Sequence, residues 1–238
     1  MSFPPTRLSV VARTRSRDDE TRRLAFATLI EAYWKPVYKH LRLKWRLDPD
    51  EAADLTQEFF TTALENDVLG RYDAERARFR TYLRLCLDGF VSNAKKAERR
   101  LKRGGGVTTV PLDFHSAEGE LVRLEPSVDA DVDEVFYQEW VRALFQLALA
   151  DLRRAVEVSG RQKMFAVFER YDLVEDARER PTYSQLGIEL GLTTTTVTNH
   201  LAAMRRQFRK HVLDRLRDLT STAEEFEAEA RRLLGSST

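Results

Sequence analysis

The chain has 238 residues, of which 42% are apolar and 32% charged, and its net charge is +1. That length allows one large or two small domains with a sizeable core, and the near-neutral balance excludes a histone-like polycation. The single cysteine, Cys86, excludes an internal disulfide framework. Its neighbours Leu83, Leu85 and Leu87 predict a buried, inert thiol and a reducing compartment. No apolar run approaches the ~20 residues of a membrane span, and the first residues lack a secretory apolar core, so the expectation is a cytoplasmic protein without a membrane partner.

Residues 1–20 read as a flexible, mildly basic arm. From Thr21 to Arg103 the pattern is helical. Leu24, Phe26, Leu29, Ile30, Tyr33 and Trp34 begin a helix that Pro36 is expected to kink or restart, and Val37, Tyr38, Leu41, Leu43 and Trp45 follow. A turn is expected at Leu47-Asp48-Pro49, a helix over Asp50 to Leu64, a charged loop over Arg71 to Arg78, and a long helix from Phe79 to Lys102. Charge is segregated here: Arg71 to Arg103 holds eleven Lys or Arg against four acids, whereas Asp113 to Glu139 holds nine acids against Arg123.

Gly104-Gly105-Gly106 marks a boundary, and 104–133 reads as an acidic linker whose apolar residues, among them Phe114, Leu121 and Leu124, predict partial docking. A second helical unit spans 134–219 and is interrupted at Gly160. Within it, Tyr183 to Arg209 has helix-turn-helix spacing. Leu186 and Leu190 share a face, Gly187 leaves room between them for a crossing helix, and Gly191 suits a left-handed helix end. Leu192 plugs the corner and Thr193 caps a second helix. Val197, Leu201 and Met204 then face inward, leaving Thr194, Thr195, Thr198, Asn199 and Ala202 outward, with Arg205 and Arg206 beyond, as a reading head for a DNA major groove requires. An ordinary helical hairpin with a solvated face is the alternative. Ser221 and Glu224 supply capping-box chemistry for a terminal helix in the extension 220–238, a regulatory contact or a packing element. The fold class is all-α: two helical domains joined by an acidic linker, the second containing a helix-turn-helix.

On the Asp50 to Leu64 helix, Leu55, Phe59, Phe60, Ala63 and Leu64 can bury while Asp54, Gln57, Glu58 and Thr61 share the opposite side. The segment DLTQEFF resembles the core-polymerase-binding motif of sigma-70 family initiation factors through Asp54, Leu55, Gln57, Glu58 and Phe60. A solvated face is the alternative. RYDAERARFRTYLR, Arg71 to Arg84, resembles the loop and helix with which that family opens the minus-ten element, where Tyr72, Arg76, Arg78 and Arg80 carry groups suited to extruded bases and phosphates. Phe79 and Tyr82 read as core before base platforms. Asn93, Lys96, Arg99 and Arg100 follow on the basic helix end, which also suits the helix dipole; Ala97 stands where the family has Asp, and Tyr82 where it commonly has Trp. Tyr183 to Arg205 resembles the family's minus-thirty-five reader, with Gly187 in place of the usual Ala and Thr198 in place of a frequent cation.

The order of these motifs resembles the compact extracytoplasmic-function (ECF) branch. The resemblance implies a sigma factor whose partners are core RNA polymerase, promoter double-stranded DNA and the melted non-template strand, and it leaves room for an anti-sigma factor or other regulator. The acidic linker would thread the polymerase cleft, with Asp129, Asp131 and Asp133 in the RNA path. His40, His115, His200 and His211 lack metal-ligand spacing, and Cys86 has no base beside it. Neither catalytic residues, nor metal, nor cofactors are expected. The rival reading is a helix-turn-helix regulator acting at an operator without a sigma role; a non-DNA adaptor and a recombinase's targeting arm stand behind it.

Overall fold

The computed structural model describes residues 9–98, 112–124, 131–174 and 176–235. Among these there is no strand; the fold is all-α. Ten helices are named in chain order: α1 Val10–Arg13, α2 Asp19–Lys44, α3 Pro49–Glu65, α4 Phe79–Glu98, α5 Phe114–Leu124, α6 Val132–Ser159, α7 Gln162–Asp172, α8 Tyr183–Leu190, α9 Thr194–Leu219 and α10 Ala223–Leu234. The described residues divide into two compact units, one drawn from 1–143 and 216–238, the other from 144–215. The division falls inside α6 and α9, away from the 104–133 segment.

In the first unit α2 is central, with α1, α3 and α5 packed on it. Its buried side chains Ala25, Phe26, Leu29, Ala32, Tyr33, Pro36, Val37, His40 and Leu41 recur every three or four residues, one helical stripe. Tyr38 and Lys39 widen the stripe where α5 covers a second side. The helix is continuous through Pro36, so the restart that the sequence allows there does not occur. The lost backbone bond costs about 3 kcal/mol, and burial of the surrounding stripe on several sides outweighs it. Asp48 caps α3 by accepting from the Glu51 amide at 2.8 Å.

Two segments fold where sequence alone gives little, and a third, the expected terminal helix, is capped one residue later than expected. The arm expected to be flexible is ordered from Ser9 onward: Ser9 caps α1, and Val10 and Val11 are buried. Within the acidic linker, α5 forms over 11 residues and docks through Phe114, whose ring meets Trp34 edge-on at 5.5 Å and Tyr38 at 5.3 Å. Its acids meet bases of α2: Arg42 donates to Glu118 through Nε and Nη2 at 2.9 and 2.6 Å, and Lys35 and Lys39 donate to Glu120 at 2.6 and 2.9 Å. The terminal helix is capped by Thr222 and Glu225, one residue beyond the expected Ser221 and Glu224.

The second unit has two apolar clusters. One joins Leu152, Val156, Phe168 and Met204; the other joins Val167, Leu186, Val197 and Leu201. Gly160, at φ +67°, ends the turn between α6 and α7 as expected.

Candidate protein and nucleic-acid interfaces

Three surfaces carry the residues singled out from the sequence. The first is on α3. Phe59 and Phe60 are buried and meet edge-on at 5.4 Å, and Phe59 meets Phe90 of α4 at 5.7 Å. That anchoring fixes the opposite side, where Asp54 and Glu58 are exposed and Gln57 and Thr61 half-buried. Leu55 is half-buried, and Leu64, expected to bury, is 43% exposed, extending the polar stripe by an apolar turn. Phe60 therefore supports the face from beneath, leaving Asp54, Gln57 and Glu58 as its accessible chemistry.

The second surface is the Arg71–Lys96 segment. Tyr72, expected to face nucleic acid, is buried; its hydroxyl donates to the Ala77 carbonyl at 2.9 Å and its ring meets Phe79 and Tyr82 at 5.2 and 5.4 Å. The physical reason is local: the loop folds over its own aromatic residue, and burial raises the Tyr72 hydroxyl above the ordinary phenol value. Phe79 is core, and Tyr82 is half-buried with its hydroxyl on the Val68 carbonyl at 2.6 Å; burial pushes that phenol up to about 12. Cys86, expected to be buried, is half-buried, with its thiol pushed up by desolvation.

Of the cations, Arg76 is 86% exposed beside Asp73. Arg78 and Arg80 share one carboxylate, Glu229 of α10, at 2.6 and 2.5 Å, and the Tyr137 hydroxyl donates to its other oxygen at 3.2 Å. The Arg80 guanidinium lies 4.8 Å from the Tyr137 ring centre and 5.0 Å from that of Trp140. Arg84 pairs with Asp133, and Asp88 accepts from Lys44, His40 and the Trp45 indole. Burial alone would raise the Asp88 carboxyl, but these hydrogen bonds outweigh it and hold it below the usual carboxylate value. Asn93 and Lys96 are exposed one turn apart on α4. Arg99 and Arg100 lie outside the described residues, as does Asp129 of the acidic run.

The third surface belongs to α8 and α9. Thr182 caps α8 in a full capping box with Gln185, and Gly191, at φ 66° and ψ 43°, closes it in the left-handed conformation. A Cβ on Gly187 would meet the Leu192 carbonyl oxygen at 2.6 Å, so the space is taken by the turn's own backbone and not by the crossing helix that the sequence predicts. Thr193 caps α9 by accepting from the Thr196 amide at 3.1 Å. With Val197, Leu201 and Met204 buried, Thr194, Thr195, Thr198 and Asn199 are exposed on α9 and Ala202 is half-buried. Arg206 is exposed; Arg205 is held by Asp172, Nε at 2.8 Å and Nη2 at 2.7 Å. Ile188, 82% exposed on α8, is an apolar residue that sequence reasoning passed over.

Glu229 is the principal residue missed. It sits between two alanines in an acidic helix, AEEFEAEARRLL, downstream of a basic loop of matching charge, and that complementarity was the available signal. Among the described residues no group of three or more His, Cys, Asp or Glu is gathered to hold a metal ion, and no helix is long and apolar enough to cross a membrane. The chain matches no protein-family model, no curated protein and no solved structure.

Proposed function

We propose that the chain is a sigma-70-type initiation factor of the compact ECF layout, which binds core RNA polymerase, sets it on a promoter and helps open the duplex. The reading is carried by one coexistence: an anchored helix with Asp54, Gln57 and Glu58 outward, and a short helix, tight turn and long helix with Thr194, Thr195, Thr198 and Asn199 outward, in one chain. In this reading α8 and α9 are a helix-turn-helix for the minus-thirty-five element, residues 134–219 its domain, and 21–103 the domain for polymerase and the minus-ten element.

The α3 stripe suits a protein partner, since its polar groups stand on a helix locked by Phe59 and Phe60 and cost little entropy to align. Arg76, Asn93 and Lys96, with Arg99, Arg100 and the arginines of the Arg71–Arg84 segment, suit phosphates and an unstacked strand. On α9, Thr and Asn offer short hydrogen bonds and methyl contacts to base edges, and Arg206 a phosphate contact, with Arg205 available once it leaves Asp172. The chain supplies binding and orientation, and the polymerase performs the chemistry.

Run-off transcription with reconstituted core polymerase on a genomic fragment library tests the reading. Defined transcripts that depend on the chain are expected, and their loss in Gln57→Ala with Glu58→Ala. Absence of any chain-dependent transcript, with operator-style double-stranded binding retained, would replace it with the regulator reading.

A further inference from the structure

Glu229 is the one fully buried residue among the side chains of α10, its side chain 1% exposed. Phe226, Leu233 and Leu234 are only half-buried. The middle of the helix is thus seated by a carboxylate on two guanidinium groups and the Tyr137 hydroxyl, a poor way to staple a terminus: an apolar residue of similar size commonly holds a buried position as well as or better than an ion pair. Between α10 and the loop before α4 lies an open cleft of about 350 Å³, with the small residues Ala74, Ala77 and Ala228 on its walls.

We propose that α10 is a built-in occupant of the Arg78–Arg80 site, in which the Glu229 carboxylate holds the place of a nucleic-acid phosphate and is displaced when a strand binds. The proposal rests on the reading of the Arg71–Lys96 segment as a single-strand contact. Carboxylate and phosphate present the same acceptor chemistry to an arginine, so the two compete for the same donors. Arg78 keeps 47% of its side chain exposed while bound to Glu229, and Arg76 beside it keeps 86%, so a strand can engage both before α10 leaves.

Departure is then easy. A helix of 12 residues is marginal alone in water, and once its carboxylate loses the arginines its remaining apolar contacts are partial. Glu225, one turn before Glu229, adds a second acid to the site, and burial raises its carboxyl above the ordinary value despite Arg80 and Arg78. Arg232 holds the far end to Glu134 at 3.1 Å and over the Tyr137 ring at 3.6 Å, exposed contacts that have to break when the helix leaves and that leave Arg232 free to pair with the strand. The cover lowers affinity for a strand by the fraction of molecules in which α10 is seated.

The test uses the full chain and a fluorescent single-stranded DNA oligonucleotide read by anisotropy. Glu229→Gln, and separately Phe226→Ala, which removes the ring contact with Arg217, should each bind about tenfold more tightly than the native chain. Adding Arg78→Ala and Arg80→Ala to Glu229→Gln should erase the gain. In the native chain, saturating oligonucleotide should speed hydrogen exchange at the amides of α10, a readout that needs no variant. Equal affinity in native chain and both variants, or unchanged protection of α10 in the saturated complex, overturns the proposal. Run-off transcription on the same proteins separates the two readings. Transcripts with unmoved affinities retire the cover and keep the initiation factor; raised affinities without transcripts keep the cover and retire the factor.

Discussion

Gly187 is a position where one methyl group decides the turn. Its Cβ would sit 2.6 Å from a backbone carbonyl oxygen, and Leu192 donates its amide to the Gly187 carbonyl at 2.8 Å, so the turn has no free direction in which to yield. Gly187→Ala is expected to lower stability by about 1–3 kcal/mol in chemical denaturation, despite the better helix propensity of alanine. His40 gives a second residue-level expectation. Burial depresses its imidazole against the pull of Asp88 and with the repulsion of Lys44 and Arg84. The unfolded chain therefore binds a proton near pH ~6.5 that the folded chain refuses, and stability falls as pH drops below about 6.5. Asp88, depressed in the fold, adds a further loss below pH ~4. Melting curves across pH 7 to 5 should show the first fall in the native chain and a flatter profile in His40→Gln; a flat native profile would contradict it. At this scale the sequence was readable where chemistry is local, as at the Thr182 cap and the left-handed Gly191. Tyr72 was misread, because an aromatic residue in a basic loop looks the same whether it faces a base or its own carbonyl five residues on.

Helix α2 holds its unit together, and its least expected member is Lys39. The amine is wholly buried, 2.6 Å from Glu139 of α6 and 2.9 Å from Glu120 of α5, so one cation fastens two further helices to α2. Lys39→Met is expected to cost about 3–5 kcal/mol by leaving Glu139 buried with Arg142 as its one remaining cation among the described residues. Lys39→Met with Glu139→Leu should recover much of that loss in the same denaturation assay. Helix existence and most boundaries followed from apolar spacing; α3 and α7 to α9 lie within a few residues of expectation. Helices α1 and α5 escaped because both are short, and their order comes from surfaces remote in sequence, Trp34 and Tyr38 in the case of α5. The restart allowed at Pro36 did not occur for the same reason: the breaker is local and the packing that overrides it is not.

Across the whole molecule, the proposed function requires that polymerase contact and promoter choice be separable. Gln57→Ala with Glu58→Ala should weaken polymerase binding tenfold or more in a pull-down titration, at the scale of about 1–2 kcal/mol, and leave melting temperature and double-stranded DNA affinity unchanged. Thr198→Ala with Asn199→Ala should do the reverse, altering the promoters selected while polymerase affinity stays native. A change in both affinities from either pair would deny that the two faces act independently. The all-α class and the outward faces of α3 and α9 were legible because each is written within one helix. The pairing of Arg78 and Arg80 with Glu229 was not, since residues about 150 positions apart meet only once the chain has folded.

The seat of Lys39 also makes it a clock. Most other lysines here stand at least partly in solvent and will react at once with an acylating reagent, whereas this amine is sealed at 0% exposure. It takes up label only in molecules whose interior has opened, so mass gained at this one position, followed over hours, counts the breathing of the protein with no reporter residue engineered into it.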